Sequence, residues 1–110
     1  MITKKIKDWI IEESSTLRDA MIKISDNCKG IIFVVDEGKL IGVLSDGDIR
    51  RALIRESSLL TPLDKIMNLN YVCSLSDEEE ELIKLSKERR IVAIPIVDKN
   101  NNLLGIFFRD

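Results

Sequence analysis

Ser45 and Asp48 stand three residues apart in the string Gly42-Val43-Leu44-Ser45-Asp46-Gly47-Asp48, where an apolar run gives way to a helical pattern. A helix N-terminus carries unpaired N–H groups and a partial positive charge, so it suits phosphate. At such a place the Ser45 hydroxyl can donate to a phosphate oxygen, and Asp48, one turn on, can accept from ribose hydroxyls. The same Ser-x-x-Asp spacing is also a capping box, which only closes a helix end. Asp46 and Asp48 form an Asp-x-Asp pair that can hold a divalent ion. No third ligand accompanies them, so magnesium carried by a bound nucleotide fits better than a bare metal site, and none is predicted.

These side chains are positioned only if a strand ends and a helix begins there. Residues 40–44 read as the strand, and Ile49, Ala52 and Leu53 give the helix from about Asp46 to Glu56 its buried face. Upstream, Trp9-Ile10-Ile11 is a short apolar segment. Thr16 and Asp19 have capping-box spacing, and Leu17, Ala20, Met21 and Ile24 fall at i, i+3, i+4 and i+7. Ile31-Ile32-Phe33-Val34-Val35 is a buried strand, joined by the turn Asp36-Glu37-Gly38-Lys39 to the strand that leads into Ser45.

The chain then passes through the same plan again. Tyr71-Val72-Cys73 is the second short segment, and Ser76 and Glu79 are spaced as another capping box. Leu82, Ile83 and Leu85 supply the helix's apolar positions. Residues 91–97 are the buried strand, 98–102 the turn and 103–108 the next strand. Val35-Asp36 matches Val97-Asp98 at an offset of 62, and Leu40-Ile41-Gly42 matches Leu103-Leu104-Gly105 at 63. Residues 61–68 join the halves, and Pro62 stops any helix running through from Leu53. The expected organisation is α/β in the α+β sense: two β-α-β-β-α repeats, residues 1–60 and 61–110, the second lacking its final helix. Each half is too small to bury its own surfaces, so the two are expected to pack sheet against sheet about a pseudo-twofold axis.

Composition narrows the function. The net charge is −2, with 17 basic and 19 acidic residues, which argues against a nucleic-acid binder that needs a basic face. No apolar run approaches the ~20 residues that span a bilayer, and the basic start lacks the apolar stretch of a signal peptide. Cys28 and Cys73 match no metal spacing and are expected as packed thiols of a reduced, cytoplasmic protein. Histidine is absent, which removes the usual general base and the usual zinc ligand.

The duplication, the Val-Asp ends of the buried strands and Gly-x-x-Ser-x-x-Asp together resemble a tandem pair of CBS domains, regulatory modules that usually bind adenosine nucleotides. The resemblance runs from about Trp9 to Asp110. The string from Gly42 to Leu53 is similar to CBS pairs attached to sugar-phosphate nucleotidyltransferases and to sugar-phosphate isomerases of the arabinose 5-phosphate type. Ile66-Met67-Asn68 and Ile94-Pro95-Ile96-Val97-Asp98 favour the nucleotidyltransferase branch, in which the pair precedes the catalytic domain. The resemblance implies that Ser45 contacts phosphate and Asp48 the ribose, with adenine against Ile11, Gly30 and Ile31. Arg50 or Arg51 can then reach a second phosphate. Phe108 stands where Ser45 stands in the first half, and the counterpart of Asp48 falls beyond Asp110, so at most one site is complete. The abrupt end suggests a piece of a longer protein, with a catalytic domain following it.

Other features have simpler explanations. Glu78 to Glu81 suit the positive end of a helix, and Arg89-Arg90 suit a helix C-terminus. Trp9 reads as packing, and Lys4, Lys5 and Lys7 as a basic cluster on a mobile end. The leading expectation is a non-catalytic module binding an adenine nucleotide (AMP, ADP or ATP), or its parent enzyme's sugar phosphate. It requires no cofactor, carries no catalytic residue, and forms a homodimer through apolar helix positions. The alternatives are a purely structural dimerisation module and an enzyme using Asp46, Asp48 and magnesium.

Overall fold

The computed structural model describes residues 1–109; Asp110, the last residue of the expected second repeat, lies outside them. In chain order the elements are β1 (Ile2–Thr3), β2 (Ile10–Glu12), α1 (Leu17–Asn27), β3 (Ile31–Asp36), β4 (Lys39–Ser45), α2 (Asp46–Ile54), α3 (Glu79–Arg89), β5 (Ala93–Val97) and β6 (Leu103–Phe108). Short 3-10 turns cover Lys7–Trp9 and Leu63–Lys65. The mixed α/β class expected from the sequence is the class observed.

The chain divides into two compact units, and they do not coincide with the sequence periods. One is Lys7–Tyr71; the other joins Met1–Ile6 to the chain from Val72 onward. In the first unit, β2 lies parallel to β3 and β3 antiparallel to β4. Glu37 and Gly38 both take positive φ, as a two-residue hairpin turn requires, at 50° and 82°. Ile11, Leu17, Ala20, Ile24, Ile32, Val34, Leu44 and Ile49 form the core, and Leu63 joins them fully buried. That burial keeps residues 61–68 with the first unit.

The same stretch seals the start of α1. Leu17 N–H donates to Thr61 O at 2.9 Å and Arg18 N–H to Leu59 O at 3.0 Å. Asp19 N–H donates to Thr16 Oγ1 at 3.3 Å and Thr16 N–H to Asp19 Oδ2 at 3.0 Å. All four N–H groups that a helix start leaves over are therefore satisfied. The expected Thr16/Asp19 capping box is present. On α2 the expected inward stripe is shorter: Ile49 and Ala52 are buried, whereas Leu53 is exposed.

In the second unit the order is β1-β6-β5, with Ile2 opposite Phe107 and Thr3 opposite Ile106. The N-terminus is thus tied down rather than mobile as expected: Phe108 N–H donates to Met1 O at 2.8 Å, and the Met1 amine to Phe108 O at 3.0 Å. Leu82, Ile94, Ile96 and Phe107 make the core. Ser86, which has no apolar side chain, is fully buried and donates to Ile83 O at 2.7 Å, a position the apolar pattern missed.

Several local expectations are corrected here. Tyr71-Val72-Cys73 is not a strand; the contact is made one residue later, where Ser74 N–H donates to Pro95 O at 3.0 Å. The Ser76/Glu79 capping box does not form. Ser76 Oγ accepts instead from Glu78 N–H at 3.1 Å, two residues on, so α3 starts after Glu78 with no side-chain cap. β5 begins at Ala93 rather than Ile91, and both cysteines are exposed rather than packed.

Candidate functional site

β4 ends on Ser45 and α2 begins at Asp46 with no intervening loop. Ser45 is extended at φ −110° and ψ 170°, the conformation an N-cap needs, and its side chain turns back onto the helix. Ser45 Oγ accepts from Asp48 N–H at 3.2 Å and donates to Asp48 Oδ2 at 2.9 Å; Ser45 N–H also donates to Oδ2, at 2.9 Å. The capping-box reading of the motif therefore holds in this structure. It is worth about 1 kcal/mol to the helix.

Asp48 Oδ1 lies outside that box and pairs with Arg51, whose Nη2 donates to it at 2.7 Å. Asp48's side chain is 19% exposed and Arg51's 60%. The guanidinium also lies over Gly47: a Cβ there would meet Arg51 Nη1 and Nη2 at 3.4 Å. Arg50 is exposed on the neighbouring position.

β-sheet register brings two more expected residues to the same place. Ile31 is opposite Ser45 at the end of the β3–β4 ladder, and Asp46 N–H donates to Gly30 O at 3.0 Å. Gly30 has φ +71°, and a Cβ on it would meet Asp46 Oδ2 at 2.9 Å. Glycine is needed here both for the left-handed backbone and for the close approach of Asp46. Gly30, Ile31, Ser45, Asp46, Asp48 and Arg51 thus converge on the start of α2. A hollow of about 410 Å³ opens beside them, lined by Met21, Ile24, Ser25, Cys28, Gly30, Asp46 and Ile49. Sequence reasoning missed Met21, Ser25 and Cys28 as lining residues. The signal was the shortness of the link from the end of α1 to Gly30.

Ile11 does not join this group. It is in the core of the first unit and borders a separate hollow of about 430 Å³ with Asp8, Ser15, Asp19, Lys23 and Asn27. The reason is topological. Ile11 pairs with Val34, well along β3 from Ile31, so the two expected adenine contacts sit at different places on the sheet.

Gly42 of the motif has a packing role. Residues 66–68 return along β4, with Asn68 N–H donating to Val43 O at 2.8 Å, and this lays Met67 on Gly42. A Cβ at Gly42 would meet Met67 Sδ at 2.5 Å.

Among carboxylates, Asp19 is held below its ordinary range, first by the Thr16 N–H and then by the Thr16 hydroxyl. Among the described residues, no group of three or more His, Cys, Asp or Glu is placed to hold a metal ion. No helix among them is long and apolar enough to cross a membrane. Glu79, Glu80 and Glu81 lie in the first turn of α3, and Arg90 closes it in the left-handed conformation.

Comparison with known proteins agrees with the fold and narrows the family. The family model described as CBS domain matches residues 2–55. Arabinose 5-phosphate isomerase GutQ of Escherichia coli O6:H1 is 35% identical over 98 residues, which cover 84% of this chain and 29% of that enzyme. The chain therefore spans under a third of that relative's length. A CBS domain protein from Pyrobaculum aerophilum, solved with AMP, superimposes at a TM-score of 0.75 with 21% identity, covering 91% of this chain and 79% of that one. The cytosolic domain of the Mg2+ channel MgtE, solved with ATP, gives a TM-score of 0.74 with 25% identity, covering 98% and 44%. The expectation of a nucleotidyltransferase parent receives no support; relatives such as GutQ are arabinose 5-phosphate isomerases.

Proposed function

Residues 2–55 being a CBS domain, we propose that the chain is a non-catalytic regulatory module whose ligand site lies at the start of α2. The ligand is a phosphorylated ribose compound, with an adenine nucleotide the leading candidate; the ATP-bound neighbour at 25% identity supports that choice. The observation that carries this reading is the difference between two similar capping boxes. At α1, residues 59–61 take two N–H groups of the first turn, those of Leu17 and Arg18, and lie over the place an anion would need. At α2, another segment takes one such N–H rather than two, Asp46 N–H donating to Gly30 O; glycines occupy positions 30 and 47, and a hollow adjoins the start.

The residues present suit such a ligand. Asp48 Oδ2 is committed to the box, but Oδ1 is held only by an exposed ion pair worth about 0.2–1 kcal/mol. A ribose hydroxyl can therefore replace Arg51 there without opening the helix. Ser45 Oγ can turn its proton from Asp48 to a phosphate oxygen while still accepting from Asp48 N–H. Gly30, Ile31 and Asp46 border the ligand, and Ile11 drops out of the set.

Regulation then follows by linkage. A ligand that favours one arrangement of the module shifts its population by no more than its differential affinity. The enzyme regulated is of the sugar-phosphate isomerase type, supported by 35% identity to one. Exposed Leu53 and Ile54 at the end of α2 support a homodimer through that helix.

The purely structural reading has one observation in its favour, the fully closed Ser45/Asp48 box. A thermal-shift panel of AMP, ADP, ATP and S-adenosylmethionine separates the two, because binding to the native state alone must raise the melting temperature. A shift that disappears in Ser45→Ala/Asp48→Ala, each protein measured against its own unliganded baseline, supports the site. No shift with any ligand leaves only the cap.

A further inference from the structure

Met67 is partly buried against the core of the first unit, and it lies over Gly42 so closely that a Cβ there would meet its Sδ at 2.5 Å and its Cγ at 2.7 Å. We propose that Met67 is a redox-sensitive latch: conversion of its thioether to the sulfoxide by a peroxide-class oxidant releases residues 66–68 from β4.

The step is a two-electron oxygen transfer. A sulfur lone pair attacks one peroxide oxygen, the O–O bond breaks, and the departing hydroxide takes a proton to leave as water; sulfur is oxidised and peroxide reduced. The product is a polar side chain where an apolar one was packed. Left in the notch, the new oxygen is an acceptor pressed against an apolar cluster, which is unfavourable unless a donor meets it. Turned toward water, it lifts the side chain off Gly42. The two other methionines lack this constraint: Met1 is 52% exposed, and Met21 lines the open hollow beside Gly30.

The segment can open without unfolding the unit. Leu63 is fully buried and anchors the chain four residues before Met67. Just past Met67, the exposed Asn68 exchanges two hydrogen bonds with Val43, at 3.0 and 2.8 Å. Losing them bares the edge of β4 two residues before Ser45, so the state of the sulfur is passed to the strand that ends in the N-cap of α2. Enzymatic reduction of the sulfoxide reverses the change.

The test is amide hydrogen exchange and thermal melting of the 110-residue chain before and after hydrogen peroxide, with peptide mass spectrometry to count oxygen at each methionine. Met67→Leu keeps the apolar volume without the sulfur, and Met67→Gln puts a polar end on a stem of similar length. In the native chain Met67 should gain one oxygen and the melting temperature fall by about 5–15 °C. The Val43 and Asn68 amides should lose at least about tenfold in protection, while those of Ile32 and Val34 in β3 keep theirs. Met67→Gln should show the same exposed amides without oxidant, and Met67→Leu should keep them protected after peroxide. Methionine sulfoxide reductase should restore the native exchange, which it cannot do for damage at the exposed Cys28 and Cys73. The proposal is overturned if Met67 stays unmodified while Met1 is fully converted, or if its sulfoxide leaves Val43 and Asn68 protected. Equal loss of protection in peroxide-treated Met67→Leu overturns it too.

Discussion

Arg51 and Asp48 are joined at 2.7 Å across one turn of α2, and Asp48 is the residue that also closes that helix through Ser45. One carboxylate thus divides its two oxygens between different tasks: Oδ2 serves the fold, and Oδ1 faces an exposed partner that can leave. Ser-x-x-Asp need not be either a cap or a ligand site. The geometry lets the cap persist while the outer oxygen changes partner, and Asp48→Asn should therefore cost both stability and ligand affinity.

The α1 capping box gives a dependence on acid. Asp19 is held below the ordinary aspartate range in the folded chain, first by the Thr16 N–H and then by the Thr16 hydroxyl. A depressed folded pKa contributes stability that is fully present above the unfolded value and is lost as pH falls through the folded one. Thr16→Ala should lower stability at pH 7 by about 1 kcal/mol and remove the smaller part of the acid dependence, since alanine keeps the N–H and loses only the hydroxyl. Urea denaturation at pH 7 and at successive pH values below 4 measures both; an unchanged acid slope would remove the Thr16 hydroxyl from the cause.

Gly42→Ala should destabilise the first unit by about 1–3 kcal/mol, because a Cβ there runs into Met67 and the core cannot absorb it without shifting residues 66–68. Met67→Ala in the same chain should recover part of the loss, a coupling that two independent sites would not show. Chemical denaturation of the four proteins of the cycle supplies the numbers, and strict additivity would rule out the contact as the reason for glycine.

The exposed pair Leu53 and Ile54 should carry the homodimer interface. Ile54→Asp places a charge in a face that would otherwise be desolvated, so sedimentation equilibrium should show a dimer for the native chain and a monomer for the variant. A native chain that stays monomeric at tens of micromolar would contradict the proposed assembly.

What the sequence revealed follows the range of the interactions. The Ser45/Asp48 and Thr16/Asp19 boxes join residues three apart, and the spacing alone located both. The β3–β4 and β5–β6 hairpins were legible for the same reason, each joining neighbouring apolar runs. The Arg51–Asp48 pair is equally local, yet the resemblance offers Arg50 or Arg51 to a second phosphate and passes over the carboxylate one turn back. Met67 on Gly42 and β1 on β6 were not legible, since two-residue pairings between distant segments leave no periodic trace. Ser76 shows the limit of spacing itself: its hydroxyl bonds two residues on rather than three, so the motif is present and the box is not. Ile11 was placed by resemblance, and the register of β2 on β3 moves it away from Gly30.

The most direct test of the account is an amide-resolved NMR titration of the isotope-labelled chain with AMP. The account predicts progressive shifts confined to Gly30, Ile31 and Ser45 through Arg51, with the amides of Leu17 to Ala20 unmoved because residues 59–61 and the Thr16 cap already hold them. Shifts centred on α1, or none at all at millimolar AMP, would contradict a ligand site at the start of α2.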